Sequence, residues 1–166
     1  TANRPIDITS IGNNGTGYIT SKWSNKTSTG VNGATNEIVD TDFPMFRLAD
    51  VYLMYAEAFV RGGGGSSMNA VNYINQLRTR ANNTNTISST DLNLELILNE
   101  RLVELYWEGH RRQDLIRFGN YSSGSYNWSW KGNSSSGIAI DASRNVFPVP
   151  SASLASNQNL TQNQGY

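Results

Sequence analysis

The sequence predicts an all-α fold of tetratricopeptide-like stacked helix pairs, an α-solenoid with long irregular loops and a few short strands. Three observations point there. Met45–Val60 and Met68–Asn82 each carry helical apolar periodicity, and a glycine run between them suits a helix reversal. Leu92–Gly119 reads as a long helix, a break at Glu108-Gly109 and a short second helix. Consecutive antiparallel pairs of this sort stack into solenoids, although no self-similarity at a period of about 34 residues marks a repeat.

A chain of 166 residues is expected to form a single domain: residues 1–42 irregular, 43–119 a helical core, 120–166 a loop and an extended tail. Residues 1–42 are rich in Gly, Asn and Thr, with a short strand possible over Gly17–Trp23. Pro44 suits a first helical turn. Met45–Val60 is apolar or small nearly all round, so it predicts an inner helix covered on several sides. Its one charged stripe holds Arg47, Asp50, Glu57 and Arg61 beside Met54.

Four glycines, Gly62 to Gly65, stop that helix. The run lacks both a preceding apolar strand and a following Lys-Ser/Thr, so a phosphate loop is a poor reading. Met68–Asn82 predicts an outer helix, with Ala70, Val71, Ile74, Leu77 and Ala81 on one face. Ser88, three residues ahead of Asp91, offers a cap for the next helix.

On that third helix Leu94, Leu98, Leu102, Leu105 and Tyr106 fall on one arc, at about 100° per residue. Leu92, Leu96, Val103 and Trp107 fall on a second arc beside it. Glu100, Arg101, Glu104 and Glu108 fill most of the remainder, with Ile97 among them. An element apolar on two sides is expected between other helices. Beyond Gly119 the chain is Ser/Gly/Asn-rich but carries Tyr121, Tyr126, Trp128 and Trp130. Such rings either pin a loop to the body or stand as stacking platforms. Ile138–Ile140 and Val146-Phe147 could be short paired strands, and Phe147–Pro150 must be extended.

Several chemistries are disfavoured. Thirteen basic residues balance thirteen acidic ones, which leaves no footprint for nucleic acid. There is no cysteine, and His110 is the sole histidine, so neither a zinc motif nor a Ser-His-Asp arrangement can be assembled. No metal and no cofactor is expected. The carboxylates are read as structural ion pairs, joining Glu100 or Glu104 to Arg111, Arg112 or Arg47, with Glu57 in the same network.

Three motifs carry a family resemblance. They are Phe46–Ala58 (FRLADVYLMYAEA), Ile97–Gly119 with Asn99-Glu100-Arg101 and Glu108-Gly109-His110-Arg111, and Phe147–Pro150 followed by Asn157, Asn159-Leu160, Gln162-Asn163 and Gly165-Tyr166. Together and in this order they resemble the SusD/RagB family, from residue 43 to the end. The resemblance implies a surface lipoprotein of the outer membrane in Bacteroidetes-type bacteria. It would be lipid-anchored through an N-terminal segment absent here, and would bind glycans or other nutrients without cleaving them.

Such a protein serves a TonB-dependent, SusC-like transporter. Family members are several times longer, so the chain resembles a C-terminal portion whose partners include the missing N-terminal part. Among its own residues Trp128, Trp130 and Tyr126 are the candidate glycan contacts, with Trp23 behind them. Two other readings stand beside glycan capture: a helical module docking on the transporter without touching glycan, and, last, a glycosidase, which needs two carboxylates across a cleft.

Overall fold

Apolar periodicity becomes packing first in α1 (Leu48–Val60), where Ala49, Leu53 and Ala56 are buried together with Asp50 and Glu57. The computed structural model describes all residues except 1–3, 11, 14, 20, 21 and 36. Helix α1 closes in a Schellman turn. The Gly62 N–H donates to Phe59 O at 3.0 Å and the Gly63 N–H to Ala58 O at 2.8 Å. Gly62 sits at φ 87°, where a side chain would be strained.

The chain then reverses into α2 (Ser67–Arg80). Tyr52 stacks on Tyr73 with centroids 4.4 Å apart, and the Tyr55 hydroxyl accepts from the Ser66 N–H at 2.9 Å. Both contacts fit an antiparallel hairpin. Ala70, Ile74 and Leu77 carry the α2 side of the core. Beyond α2, Asn75 bonds Ile87 twice, at 2.9 Å to its carbonyl and 2.8 Å from its N–H, and so seats Ile87 in that core.

Helix α3 (Leu94–Glu104) is capped by Asn93, whose side chain accepts from the Leu96 N–H at 2.9 Å. Ser88 is therefore not the cap. It donates its N–H and hydroxyl to Asp91 at 2.8 and 2.7 Å and closes the turn ahead of the helix. The helix also ends four residues before Glu108, since Trp107 and Gly109 take left-handed φ values of 61° and 79°.

The buried side of α3 differs from the expected one. Ile97, Leu98 and Arg101 face inward, while Val103, Tyr106 and Trp107 are exposed. Arg101 has carboxylates waiting for it inside, which turns the charged stripe toward the core. Helix α1 is likewise open on one side, at Leu48, Val51 and Met54. Helix α4 (Arg111–Arg117) follows and buries Asp114 and Leu115.

A chain of ion pairs ties these helices together. Arg101 donates to Asp50 of α1 at 2.8 Å, and its Nε lies 2.9 Å from Asp114 Oδ1 of α4. Arg117 reaches the same Asp114 at 2.9 Å and both oxygens of Glu57 at 2.8 Å, and Arg61 also donates to Glu57 at 2.8 Å. Burial alone would raise the Glu57 pKa, but the bonds from Arg117 and Arg61 outweigh it and hold the carboxyl below its ordinary value. Arg101, Asp50 and Asp114 are buried whereas Arg61 and Arg117 stay partly exposed, so loss of a partner costs most at Arg101.

The tail adds a short helix α5 (Ser151–Ser156), which the two prolines concealed: Pro150 is its N-cap. Residues 138–140 and 146–147 form no ladder. The segment 146–149 is instead clipped from the C-terminal side. Gln162 bonds both the N–H and the carbonyl of Val149, at 2.8 and 3.0 Å; Asn163 donates to Phe147 O at 2.7 Å and Tyr166 to Val146 O at 2.8 Å.

Two compact units are present, Thr1–Arg47 and Leu48–Tyr166. The first is irregular. The described part of Gly17–Trp23 is not a strand, and Thr20 and Ser21 lie outside the described residues. An isolated antiparallel bridge joins Lys26 and Asn32, and Asn25 organises the loop beside it, bonding Thr35 O, Ile38 O and the Asp40 N–H.

Candidate functional site

Between α3, α4 and the segment that follows α4 lies a cavity of about 360 Å³, lined by Leu102, Arg111, Arg112, Leu115 and the rings of Tyr121, Tyr126 and Trp128. Trp128 lies 6.1 Å from Tyr121 and 6.3 Å from Tyr126, centroid to centroid, and keeps 36% of its surface exposed. A second cavity of about 400 Å³ adjoins it. That one is lined by Leu105, Tyr106, Trp107 and Gly109, and shares Leu102, Arg111 and Arg112 with the first.

The loop is stiffened from within. Lys131 is 1% exposed. Its ammonium donates to Tyr126 O at 2.6 Å and to Ser123 O, and lies 4.9 Å from the Trp128 ring centroid. A buried ammonium is tolerable when carbonyls and a ring face replace its water. Gly137 lets the strand of chain opposite pass closely: at its φ of 74° an added Cβ would lie 2.3 Å from Trp128 O. The Trp128 backbone is thus held on both sides.

The two arginines at the wall are held by neutral groups. Arg111 donates to Leu98 O at 2.9 Å and to the Tyr126 hydroxyl, with its guanidinium 5.6 Å from that ring centroid. Arg112 lies 5.1 Å from the Tyr121 centroid and 4.0 Å from that of Phe147, and donates to Arg144 O at 2.7 Å. This corrects the expected pairing of Arg111 and Arg112 with Glu100 and Glu104. Those carboxylates meet α2 instead, Glu100 with Arg78 and Glu104 with Arg80 at 2.6 Å. Arg47 belongs to the other unit.

Of the four aromatic residues singled out from sequence, Tyr126 and Trp128 come together at the cavity. Trp130, half-buried, takes a left-handed φ of 70° at the start of a tight turn and does not line it. Trp23 lies in the first unit, exposed. Sequence reasoning missed Tyr121 as a wall residue, though it stands in the same aromatic loop. It also missed Trp107, because an unbroken apolar period hid the end of α3.

The arrangement offers rings, guanidinium N–H groups and an apolar floor. That combination suits a ligand with flat apolar faces and many hydrogen-bonding edges. Among the described residues no helix is long and apolar enough to cross a membrane.

The SusD family model matches residues 6–166. The starch-binding protein SusD of Bacteroides thetaiotaomicron is 39% identical over 145 residues, which is 87% of this chain and 25% of that protein. A SusD-like protein of Formosa agariphila is 48% identical over 80 residues, 45% of this chain and 15% of that one. Among solved structures, the surface glycan-binding protein A of Bacteroides thetaiotaomicron superposes with a TM-score of 0.63 at 26% identity, over 84% of this chain and 27% of that one. A SusD superfamily protein of Bacteroides vulgatus gives 0.61 at 28% identity, covering 82% and 31%. The chain therefore spans about a quarter of the length of the curated SusD that it matches.

Proposed function

The chain belongs to the SusD family, and from that premise we propose that it forms part of a glycan-binding protein of the bacterial outer-membrane surface. It captures polysaccharide-derived ligands without cleaving them and passes them to a TonB-dependent, SusC-like transporter. The observation that carries the binding role is the aromatic cavity: Tyr121, Tyr126 and Trp128 grouped around an apolar floor and bordered by guanidinium donors. Sugar rings present C–H faces to aromatic surfaces and hydroxyls to donors, so this lining fits them. The commitment of Glu57, Glu100, Glu104 and Asp114 to arginines supports capture over hydrolysis, since a glycosidase needs carboxylates facing a cleft.

The test is titration of the full-length protein with oligosaccharides by calorimetry. Trp128→Ala is expected to weaken binding by about tenfold, the size of one lost ring contact, with helical circular dichroism retained. Unaltered affinity in both Trp128→Ala and Tyr126→Ala would remove this cavity from the glycan site.

A second reading has its own support. Leu48, Val51 and Met54 leave one side of α1 apolar and exposed, which suits docking on a transporter or on the rest of a longer SusD-like chain. Retention of a transporter by the protein in the absence of any glycan affinity would favour it.

A further inference from the structure

The seven arginines between Leu48 and Gly119 divide into two groups, and Arg144 in the tail lies against the Tyr166 ring. Arg61, Arg78, Arg80, Arg101 and Arg117 each form an ion pair with a carboxylate. Arg111 and Arg112, the two that line the aromatic cavity, form none among the described residues; their partners are carbonyls, a hydroxyl and ring faces. Neutral partners fix a guanidinium without cancelling its charge. Of the carboxylates near in the chain, Glu100 pairs with Arg78, Glu104 with Arg80, and Asp114 with Arg101 and Arg117, while the buried Glu108 forms no ion pair with Arg111 or Arg112.

We propose that this cavity takes an anionic glycan, with a ring carboxylate or sulfate ester meeting Arg111 and Arg112 while a sugar face lies against the aromatic wall. The inference rests on the glycan-binding reading above and specifies its ligand class. A guanidinium has five N–H donors, and the contacts of Arg111 and Arg112 leave each with donors for a ligand. Contacts with the Tyr121 and Phe147 rings and the bond to Arg144 O hold Arg112 in place, so little freedom is lost when it binds an anion. A neutral sugar in the same place would cover two charges without compensating them. Uronates and sulfated sugars supply what those charges lack.

The experiment is a binding titration of the full-length protein against three probes of equal length: an oligogalacturonate, a sulfated galactan oligosaccharide and a maltooligosaccharide. At low salt at least one acidic probe is expected to bind about tenfold more tightly than the neutral one, with the gap closing as salt is added. The probe that shows the gap identifies carboxylate or sulfate as the anion. Arg112→Gln should erase most of the preference, and Arg112→Lys should keep part of it. If Arg112→Gln fails to fold, Arg112→Lys and the salt dependence decide. Equal binding of neutral and acidic probes, or an Arg112→Gln protein with the wild-type preference, would overturn the anionic assignment while leaving glycan binding intact. Failure of all three probes to bind would count against the glycan reading itself.

Discussion

The interior of the helical unit and the wall of its cavity use the same side chain in opposite ways. Inside, Arg101 is 3% exposed and sits between Asp50 and Asp114, and Arg117 joins Glu57 to Asp114. At the wall, Arg111 and Arg112 rest on carbonyls and rings. The interior set is closed: every charge has its opposite, and the helices are locked in register by the exchange. The wall set is positioned but left unbalanced. Charge that is neutralised serves the fold, and charge that is merely held stays uncompensated at the cavity wall.

The contrast can be broken most forcefully from the inside. Arg101→Met leaves Asp50 buried without a counter-charge and Asp114 with Arg117 alone, and is expected to cost about 3–5 kcal/mol, read as a large drop in thermal denaturation midpoint. Adding Asp50→Asn should recover part of the loss, because the stranded charge is then gone.

At the wall, Lys131→Met removes the donor to Ser123 O and Tyr126 O. The expected cost is about 1–3 kcal/mol, with helical circular dichroism retained and tryptophan fluorescence altered near Trp128.

Acidity offers a subtler probe of the interior. Glu57 has a lowered pKa in the folded state, against an ordinary value of 4.5. Its stabilisation is therefore fully present above that value and is lost as pH falls through the lower folded one. Wild-type melting should fall on acidification through that window, and Glu57→Gln should flatten the fall. The smallest effect belongs to the rim. Arg80 is 59% exposed where it meets Glu104, so Arg80→Gln should shift stability by less than about 1 kcal/mol. A loss as large as that of Arg101→Met would erase the distinction between a closed interior and a solvated edge.

The sequence shows the helices because their period is local. Ala70, Ile74 and Leu77 announce the buried side of α2 without help from the rest of the chain. The orientation of α3 is a different matter. Leu102, Val103 and Trp107 are as apolar as Ile97 and Leu98, and only the placement of Asp50 and Asp114 decides that Arg101 turns inward. The end of α3 is equally hidden, since Leu105 to Trp107 continue the apolar pattern while Trp107 has already left the helix.

At the site, the cluster of rings in the loop is legible, and Tyr126 and Trp128 do meet there. The role of Arg111 and Arg112 is not. Proximity in sequence to glutamates suggests pairing, but those glutamates are claimed from α2, by residues more than twenty positions earlier.

The clip formed by Gln162, Asn163 and Tyr166 bears on the timing of synthesis. Phe147, which closes one side of Arg112, is held in place by a segment translated well after α4 has emerged. During translation the helices can therefore assemble before the aromatic wall is finished. The nascent chain acquires its helical scaffold before the clip that seats Phe147 against Arg112.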